Sequence, residues 1–303
     1  MNDLKQSEDG WLSLQAPAKI NLMLSVHGRR GDGFHELTSL VASLGFCDEL
    51  ELRLNGLQAD TLVSDGVEVP LDDSNLVLQA ARLFREESGQ SECFDFRLRK
   101  RIPVGAGLGG GSSDAVAALK GMDVLLQVGM GCEKLRAVAS SLGSDCPFFV
   151  DAAPAVMRGR GEILEAIDPR ACGRLAGQRV VLFRPTFGVA TGWAYARLVS
   201  RPELYEGKAV AEARLQAFYE GGSLGDLLHN VFEITVGQKF LAIPCLLEKL
   251  RARGHQCMMS GSGSACFALV GSDEEAAAVK EICLKSWGQG MFWVETSLAK
   301  RKM

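Results

Sequence analysis

The sequence predicts a globular protein that mixes α-helices and β-strands and is long enough for two domains. Its 303 residues are 47% hydrophobic, which supports real cores rather than disorder. Several segments alternate apolar and polar residues, as a strand with one wet face does, and others repeat apolar residues at helical spacing. No internal repeat or low-complexity linker marks a boundary, so we divide the chain into an N-terminal domain, 1–160, and a C-terminal domain, 161–303.

The first half of the chain carries the clearest strand patterns. Residues 11–26 alternate with a period of two, so that Lys19 and Asn21 share one face of a strand and aliphatic residues occupy the other. Residues 48–54 and 94–102 alternate in the same way. Apolar residues at helical spacing predict helices over residues 75–87, 115–127 and 132–142.

The second half continues the mixture. A strand is predicted over residues 178–183, and the apolar run 148–150 is interpreted as a strand that follows a turn containing Asp145. Further helices are predicted over residues 192–198, 224–235, 243–253 and 273–285.

Composition and charge exclude several classes of protein. The formal net charge is −4, so the overall balance does not suggest nucleic acid or an acidic membrane as a partner. The nine cysteines and four histidines are scattered without a C-x-x-C pair, which fits reduced thiols in the cytoplasm rather than a structural zinc site. The N-terminus has no apolar run and no long apolar stretch follows, so we expect neither secretion nor a membrane span.

The most informative segment is a glycine-rich stretch directly before the helix predicted at residues 115–127. Glycine permits positive φ and lets the main chain approach a ligand closely, and Ser112, Ser113 and Asp114 are favourable capping residues. A helix start also offers unpaired N–H donors at the positive end of the helix dipole, so the stretch predicts a phosphate site. Its members are Pro103, Val104, Gly105, Ala106, Gly107, Leu108, Gly109, Gly110, Gly111, Ser112 and Ser113.

Other kinds of glycine loop fit this stretch less well. The segment from Gly105 to Gly110 matches the dinucleotide pattern G-x-G-x-x-G. A Rossmann loop, however, follows a buried strand, and the strand predicted here has one solvent-exposed face. The next acidic residue, Asp123, also comes too early for that motif. A Walker A loop needs a lysine after its glycines, and a protein-kinase loop needs His-Arg-Asp and Asp-Phe-Gly downstream, which the chain lacks. A flexible connection stays open as a fourth interpretation.

Short strings along residues 16–270 ask for a common explanation. They are Pro17-Ala-Lys-Ile-Asn-Leu22, Asp32-Gly-Phe-His35, Gly107-Leu-Gly-Gly-Gly-Ser-Ser-Asp114, Gly143-Ser-Asp-Cys-Pro-Phe148 and Ser260-Gly-Ser-Gly-Ser-Ala265. Together they resemble the GHMP superfamily, which contains the kinases for galactose, homoserine, mevalonate and phosphomevalonate. The finer resemblance is to the 4-diphosphocytidyl-2-C-methyl-D-erythritol kinases of the non-mevalonate isoprenoid pathway. Each string is weak by itself, and their order and spacing carry the resemblance.

The resemblance implies a fold and a mechanism. The implied fold is α+β, a two-domain GHMP kinase fold with mixed and antiparallel sheets and an active site in the interdomain cleft. ATP is the implied co-substrate, with Mg²⁺ bridging its phosphates and Ser112 or Ser113 as the contact with the ion. Asp145 is the implied general base, Lys19 its partner, and Asn21 the residue that orients the acceptor. Taken singly, Lys19 fits a solvated strand lysine better and Asp145 an ordinary turn residue.

The same resemblance assigns a substrate-binding set. Phe34 and His35 stand where the family usually has Tyr-His, and the resemblance implies that this pair recognises cytosine. This chain keeps the aromatic ring and loses the phenol hydroxyl. Thr191 and Tyr195 share one helix face and match the second wall of the substrate site. As alternatives, His35 fits a loop histidine and Tyr195 fits core packing. The cluster assigned to the substrate diphosphate, or otherwise to a tight turn, is Gly261, Ser262 and Gly263.

The implied function is ATP-dependent phosphorylation of the 2-hydroxyl of a small-molecule, cytidine-diphosphate-linked methylerythritol. The enzyme is expected to be cytoplasmic and a monomer or homodimer. The alternatives are another GHMP kinase, of homoserine or mevalonate type, a nucleotide-binding regulator that has lost catalysis, and a dinucleotide oxidoreductase. Retention of Lys19, Asn21 and Asp145 together favours a catalyst over a regulator.

Overall fold

The computed structural model describes residues 5–7 and 9–300. The strands are β1 (Lys5–Gln6), β2 (Leu12–Arg29), β3 (His35–Leu54), β4 (Thr61–Gly66), β5 (Phe94–Lys100), β6 (Ala155–Gly159), β7 (Ile163–Ala166), β8 (Arg179–Arg184), β9 (His229–Asn230), β10 (Cys257–Met259), β11 (Cys266–Leu269) and β12 (Phe292–Ser297). The helices are α1 (Leu76–Ser88), α2 (Gly110–Leu125), α3 (Gly131–Leu142), α4 (Phe148–Asp151), α5 (Pro169–Leu175), α6 (Thr191–Val199), α7 (Lys208–Tyr219), α8 (Leu224–Leu227), α9 (Phe232–Gly237), α10 (Ala242–Arg251) and α11 (Asp273–Trp287).

The chain divides into two compact units that interleave along the sequence. Unit 1 comprises residues 1–18, 46–104 and 109–153, and unit 2 comprises residues 19–45, 105–108 and 154–303. The predicted domain boundary at residue 160 stays a prediction. The outer ends of the two predicted domains, residues 1 and 303, lie outside the described residues.

Unit 1 packs helices against a mixed sheet. Strand β5 pairs antiparallel with the end of β3, with Leu50 opposite Leu98, and parallel with β4. Its alternation is the one that the sequence predicted, because Phe94, Phe96 and Leu98 are buried while Arg97 is exposed. Helix α1 packs against α2 and α3, and α2 also packs against α4.

Unit 2 contains a second, antiparallel sheet. Its strand order is β10-β11-β8-β12, and the sheet core includes Phe183 and Phe267. A separate hairpin, β6 and β7, pairs antiparallel with the start of β3, with Leu40 opposite Val156. Strand β9 adds to β2 in parallel, which brings His229 opposite Met23. Parallel pairing is therefore confined to short contacts here, as expected of a mixed rather than an α/β sheet.

Strand β2 has both faces covered in unit 2. The aliphatic face, which includes Ile20 and Leu22, is fully buried, and on the opposite face Lys19 and Asn21 are only 4% exposed. The interpretation of Lys19 as a solvated strand lysine is therefore wrong. Burying an ammonium group costs free energy unless polar partners surround it. Packing alone therefore does not explain why a lysine occupies this face of β2.

The elements differ from the predicted ones in several places. Strand β3 begins at His35 rather than at residue 48. Helix α2 begins at Gly110 rather than at residue 115, with Gly109 as its N-cap, so Ser112, Ser113 and Asp114 lie inside the helix instead of capping it. Residues 148–150 form part of helix α4 and not a strand. The helix predicted over residues 224–235 is interrupted by strand β9 at His229–Asn230. At residues 148–150 and at His229–Asn230, tertiary context overruled the local apolar spacing.

Among residues 5–7 and 9–300, no helix is both long enough and apolar enough to cross a membrane.

Candidate active site

The glycine-rich stretch forms a loop that leads directly into α2, and three of its glycines have left-handed backbone angles. Gly105, Gly107 and Gly109 have φ of 62°, 76° and 71°, a region that L side chains rarely adopt. The helical hydrogen-bond ladder starts where the N–H of Ser113 donates to the carbonyl of Gly109, at 3.0 Å. The N–H groups of residues 110–112 precede that ladder at the positive end of a 16-residue helix, which is the arrangement that favours phosphate.

The burial of the loop's members is uneven. Ser113 is buried, and its hydroxyl oxygen has no hydrogen-bond partner among the described residues. An unpaired buried hydroxyl is uncommon in proteins and points to a ligand or water. The remaining buried members are Pro103, Ala106, Leu108 and Gly110, the half-buried ones Gly107, Gly109 and Ser112, and the exposed ones Val104, Gly105 and Gly111.

The middle of the loop is fixed within unit 2 by Ser260. The Ser260 hydroxyl donates to the carbonyl of Gly107 at 3.1 Å, and a Cβ added at Gly107 would stand only 2.2 Å from the Ser260 carbonyl oxygen. The carbonyl of Leu108 accepts from the backbone N–H of Lys19 at 2.9 Å. Only glycine fits at residue 107, because backbone atoms rather than a flexible side chain block the space.

Lys19 and Asn21 meet on the buried polar face of β2. The Nζ of Lys19 donates to Oδ1 of Asn21 at 2.7 Å, and the Nδ2 of Asn21 donates to the Ser39 hydroxyl at 2.8 Å. That hydroxyl in turn donates to the carbonyl of Met23 at 2.6 Å. The chain of donors determines which way the Asn21 amide faces, because its oxygen must point to the ammonium.

Asp145 lies in unit 1, in the turn between α3 and α4, and is half-buried. The neighbouring Cys146 is fully buried, and burial raises the pKa of its thiol to about 11, with the charge of Asp145 adding to this and a hydrogen bond with Ser112 opposing it. A protonated, buried thiol is a poor nucleophile, which argues against a nucleophilic role for Cys146.

The predicted cytosine-binding residues contribute to an aromatic cluster in unit 2. The His35 ring lies 4.8 Å from the Tyr195 ring, which meets Phe232 edge-on at 4.8 Å. His35 is 9% exposed, and its Nε2 has no hydrogen-bond partner among the described residues. Burial, with the charge of Arg29, lowers the pKa of His35, so the neutral ring is favoured.

Phe34, which precedes His35 in the chain, has a different environment. It is 46% exposed, and the Arg160 guanidinium lies 4.7 Å from the ring centroid. The Asp32 carboxylate accepts from the Phe34 N–H at 3.1 Å, which fixes the turn that presents the ring. An exposed aromatic ring on a fixed turn is a surface on which a base can stack.

The structure brings Thr191 together with the second glycine cluster. The hydroxyls of Thr191 and Ser262 are 2.9 Å apart, and Gly261 and Gly263 have φ of 56° and 81°. The loop is held by Asn230, whose amide donates to the carbonyls of Met259 and Gly261 at 2.7 and 2.8 Å. These hydrogen bonds tie the loop to strand β9.

Sequence reasoning missed several members of these clusters. Ser39 and Asn230 lie outside the recognised strings, and only tertiary structure relates them to β2 and to the 260s loop. Ser260 begins one of those strings, so the sequence could have identified it. Tyr205, whose ring lies 6.2 Å from that of His35, had no signal at all.

A buried ionic triad in unit 1 was also missed. Lys100 Nζ lies 2.5 Å from a carboxylate oxygen of Asp48 and 2.5 Å from one of Asp114. Asp48 accepts further hydrogen bonds from the N–H groups of Arg101 and Ile102, at 2.6 and 2.8 Å. Burial raises the pKa of Asp114 to about 7, against the attraction of Lys100. The triad joins β3, the end of β5 and the first turns of α2.

Family profiles match both halves of the chain. The profile described as GHMP kinases N terminal domain matches residues 75–159, and that described as GHMP kinases C terminal matches residues 215–289. A 4-diphosphocytidyl-2-C-methyl-D-erythritol kinase of Synechococcus sp. (strain CC9902) is 38% identical over 297 residues, which are 91% of this chain and 95% of that protein. The chain belongs to the 4-diphosphocytidyl-2-C-methyl-D-erythritol kinase family.

Solved structures agree with this membership. A crystal structure of a 4-(cytidine 5'-diphospho)-2C-methyl-D-erythritol kinase is 35% identical and superposes with a TM-score of 0.75, covering 94% of this chain and 99% of that one. A homoserine kinase from Cytophaga hutchinsonii has a TM-score of 0.70 with 20% identity, covering 99% of this chain and 98% of that one, which shows a common fold alone.

Membership of the 4-diphosphocytidyl-2-C-methyl-D-erythritol kinase family confirms the resemblance, the α+β GHMP kinase fold and the prediction that the chain is an enzyme. The interpretation of the glycine stretch as a dinucleotide loop of an oxidoreductase is wrong. Among the described residues, no group of three or more His, Cys, Asp or Glu side chains is arranged to hold a metal ion.

Proposed function

We propose that this enzyme transfers the γ-phosphoryl group of ATP to the 2-hydroxyl of 4-diphosphocytidyl-2-C-methyl-D-erythritol, giving the 2-phosphate and ADP. This is a step of non-mevalonate isoprenoid precursor biosynthesis. The observation that carries the proposal is the similarity to kinases named for this substrate, which extends over 91% of the chain at 38% identity. The buried polar face of β2 and the left-handed glycine loop supply the groups that such a transfer needs.

The nucleotide phosphates are assigned to the loop from Pro103 to Ser113 and to the first N–H groups of α2. The positive φ values keep side chains away from the ligand, and the helix dipole favours the negative charge. The hydroxyls of Ser112 and Ser113 suit Mg²⁺, which prefers oxygen ligands, and the Ser113 oxygen has no other partner among the described residues. When bound, the ion would neutralise charge on the phosphate oxygens.

Proton transfer is assigned to Asp145, with Lys19 as its electrostatic partner. A carboxylate that takes the proton of the acceptor hydroxyl makes the oxygen a better nucleophile, and a nearby ammonium keeps that carboxylate ionised. Lys19 is suited to the second role because it is buried, so its charge is screened little by solvent. Asn21 holds the ammonium through its Oδ1 and is assigned to orient the acceptor.

The cytidyl end of the substrate is assigned to the aromatic cluster. Phe34 offers an exposed face for stacking, and the unpaired His35 Nε2 offers a hydrogen bond to the base. Tyr195 forms the second wall with Thr191. The diphosphate is assigned to the N–H groups of the loop that contains Gly261, Ser262 and Gly263, where positive φ again brings the main chain forward.

A coupled assay of ADP release tests the proposal. The purified enzyme is mixed with ATP and Mg²⁺, and 4-diphosphocytidyl-2-C-methyl-D-erythritol is compared with free methylerythritol, homoserine and mevalonate at equal concentration. ADP release with the cytidyl substrate alone supports the proposal. Release with homoserine or mevalonate instead would show another GHMP kinase, and binding of ATP without release in any mixture would show a regulator. The cytoplasmic location and the monomeric or homodimeric state stay predictions.

A further inference from the structure

Arg184, at the end of β8, carries a half-buried guanidinium without a carboxylate partner among the described residues. Its Nε donates to the hydroxyl of Ser264 at 3.2 Å. Burial alone lowers the pKa of the Arg184 side chain, and no acidic group counters it. The guanidinium carries five N–H donors, and one neutral hydroxyl uses only one of them.

Several other half-buried arginines of the described chain are paired with acids, whereas Arg160 lies over the Phe34 ring. Arg85 donates to both oxygens of Asp60, and Arg214 donates to both oxygens of Glu206. Arg158 has the same kind of partner in Glu212. Leaving a charge partly desolvated and unpaired costs free energy, so the Arg184 environment favours an anion that comes from outside the chain.

The surroundings of Arg184 point to phosphate as that anion. A Cβ added at Gly188 would stand 3.3 Å from Nη2 of Arg184 and 3.6 Å from the carbonyl oxygen of Gly105, so the guanidinium and the glycine-rich loop flank the same piece of backbone. Ala265 donates its N–H to the carbonyl of Ala106 at 3.1 Å. Both glycine loops of unit 2 therefore lie beside this arginine.

Ser264 is built to hold the guanidinium in place. It is fully buried, and its hydroxyl donates to the carbonyl of Phe187 at 2.6 Å while it accepts from Arg184. With its proton committed to Phe187, the hydroxyl oxygen is oriented as an acceptor for Nε. The edge of the guanidinium that carries the Nη groups is left for a bidentate contact, which is the geometry that arginine uses with phosphate.

We propose that Arg184 binds a phosphate oxyanion during the reaction, either of the nucleotide or of the substrate diphosphate. This inference rests on the proposed function for the identity of the two candidate ligands. It assigns to unit 2 a phosphate-binding cation that lies outside the glycine loops and outside the Lys19 cluster.

The test combines direct binding with kinetics for Arg184→Gln and Arg184→Lys. Calorimetric titration with ADP and, separately, with cytidine diphosphate reports on the two phosphate sources without turnover. Because charge-assisted hydrogen bonds are lost, Arg184→Gln is expected to weaken one of the two ligands by about 10-fold to 100-fold, with the KM of the corresponding substrate rising in parallel. Arg184→Lys keeps the charge but cannot make a bidentate contact. Its affinity for that ligand is therefore expected to lie between those of the wild type and Arg184→Gln.

Arg179→Gln is the matched control. Arg179 lies at the other end of β8 and pairs with the exposed Asp273, so neither affinity is expected to change. The inference is overturned if Arg184→Gln binds both ligands with wild-type affinity. If Arg184→Gln does not fold, wild-type affinity of Arg184→Lys for both ligands overturns it instead. Absence of ADP release by the wild-type enzyme, together with Arg184-dependent binding of ADP, would reject the proposed function and support the inference.

Discussion

Lys19 Nζ and Asn21 Oδ1 are joined by a 2.7 Å hydrogen bond on the buried face of β2. Lys19→Met keeps most of the side-chain volume and removes the charge, so kcat is expected to fall about 100-fold or more, the usual loss on removing one electrostatic group from a transition state. Lys19→Arg is expected to rescue little, because the larger planar fork does not fit a 4% exposed position. Steady-state kinetics with thermal melts check both variants. Wild-type kcat in a folded Lys19→Met protein would contradict the assignment.

Asp145→Asn keeps the shape of the turn between α3 and α4 and removes the base. We expect kcat to fall by about 10² to 10⁴, with little change in the KM for ATP, because proton transfer and not nucleotide binding is affected. Asp151→Asn is the control, since Asp151 is an exposed acid that pairs with Arg136 just after the same turn. Equal effects of the two substitutions would indicate a structural rather than a chemical role.

Tyr195→Ala removes the ring that contacts both His35 and Phe232. The KM for the cytidyl substrate is expected to rise about 10-fold to 100-fold, since base stacking on an aromatic ring contributes ~1–3 kcal/mol, while the KM for ATP stays unchanged. Tyr195→Phe keeps the ring and is expected to remain within a few-fold of the wild type. A parallel rise in both KM values after Tyr195→Ala would instead point to ordinary core packing.

Lys100→Met is expected to lower the free energy of unfolding by about 3–5 kcal/mol, because it leaves the buried carboxylates of Asp48 and Asp114 without their cation. Denaturant unfolding measures the change. Adding Asp114→Asn to Lys100→Met is expected to restore part of the loss, since one of the two facing charges is removed. Arg97→Met, on the exposed face of the same strand, is the control. A loss no larger than that of the control would show that the triad does not stabilise unit 1.

Glu206 makes a pH-dependent contribution to stability. Burial acts to raise the pKa of Glu206, but hydrogen bonds from Arg214 and Ser25 and the charge of His229 outweigh it and lower the pKa to about 2 from an ordinary 4.5. A lowered folded-state pKa means that the stabilisation is complete above pH 4.5 and is lost as the pH falls from there towards 2. Arg214→Gln is therefore expected to lower the melting temperature at pH 7. The melting temperature of this variant is also expected to decrease less than that of the wild type as the pH falls through this window.

Melting curves between pH 2 and pH 7 check the Glu206 prediction, with Arg201→Gln as the control because Arg201 pairs with the exposed Glu203. Other acids titrate in the same window, so the difference between variant and wild type is the quantity that counts. An unchanged slope in Arg214→Gln would mean that another group causes the acid sensitivity.

Much of the fold could be predicted because it rests on local signals. The alternation of residues 94–102 corresponds to β5, and the helical spacing of residues 75–87 corresponds to α1. The start of α2 was predicted five residues late, because glycine is a poor helix former and Gly110 and Gly111 gave no helical signal. Residues 148–150 are apolar enough for a strand, and only their hydrogen bonding shows a short helix.

Sequence alone determined the chemistry that the chain offers: a glycine-rich stretch for phosphate, Lys19 and Asn21 on one strand face, and Asp145 in a turn. Tertiary structure decided which of these groups are buried and what holds them. Three features depend on contacts between segments far apart in sequence. They are the burial of Lys19, the Ser260 carbonyl that excludes a side chain at Gly107, and the hydrogen bond of Arg184 to Ser264. Residue spacing reports only on neighbours within a few positions, whereas desolvation and partner geometry are set by the packing of distant strands and loops.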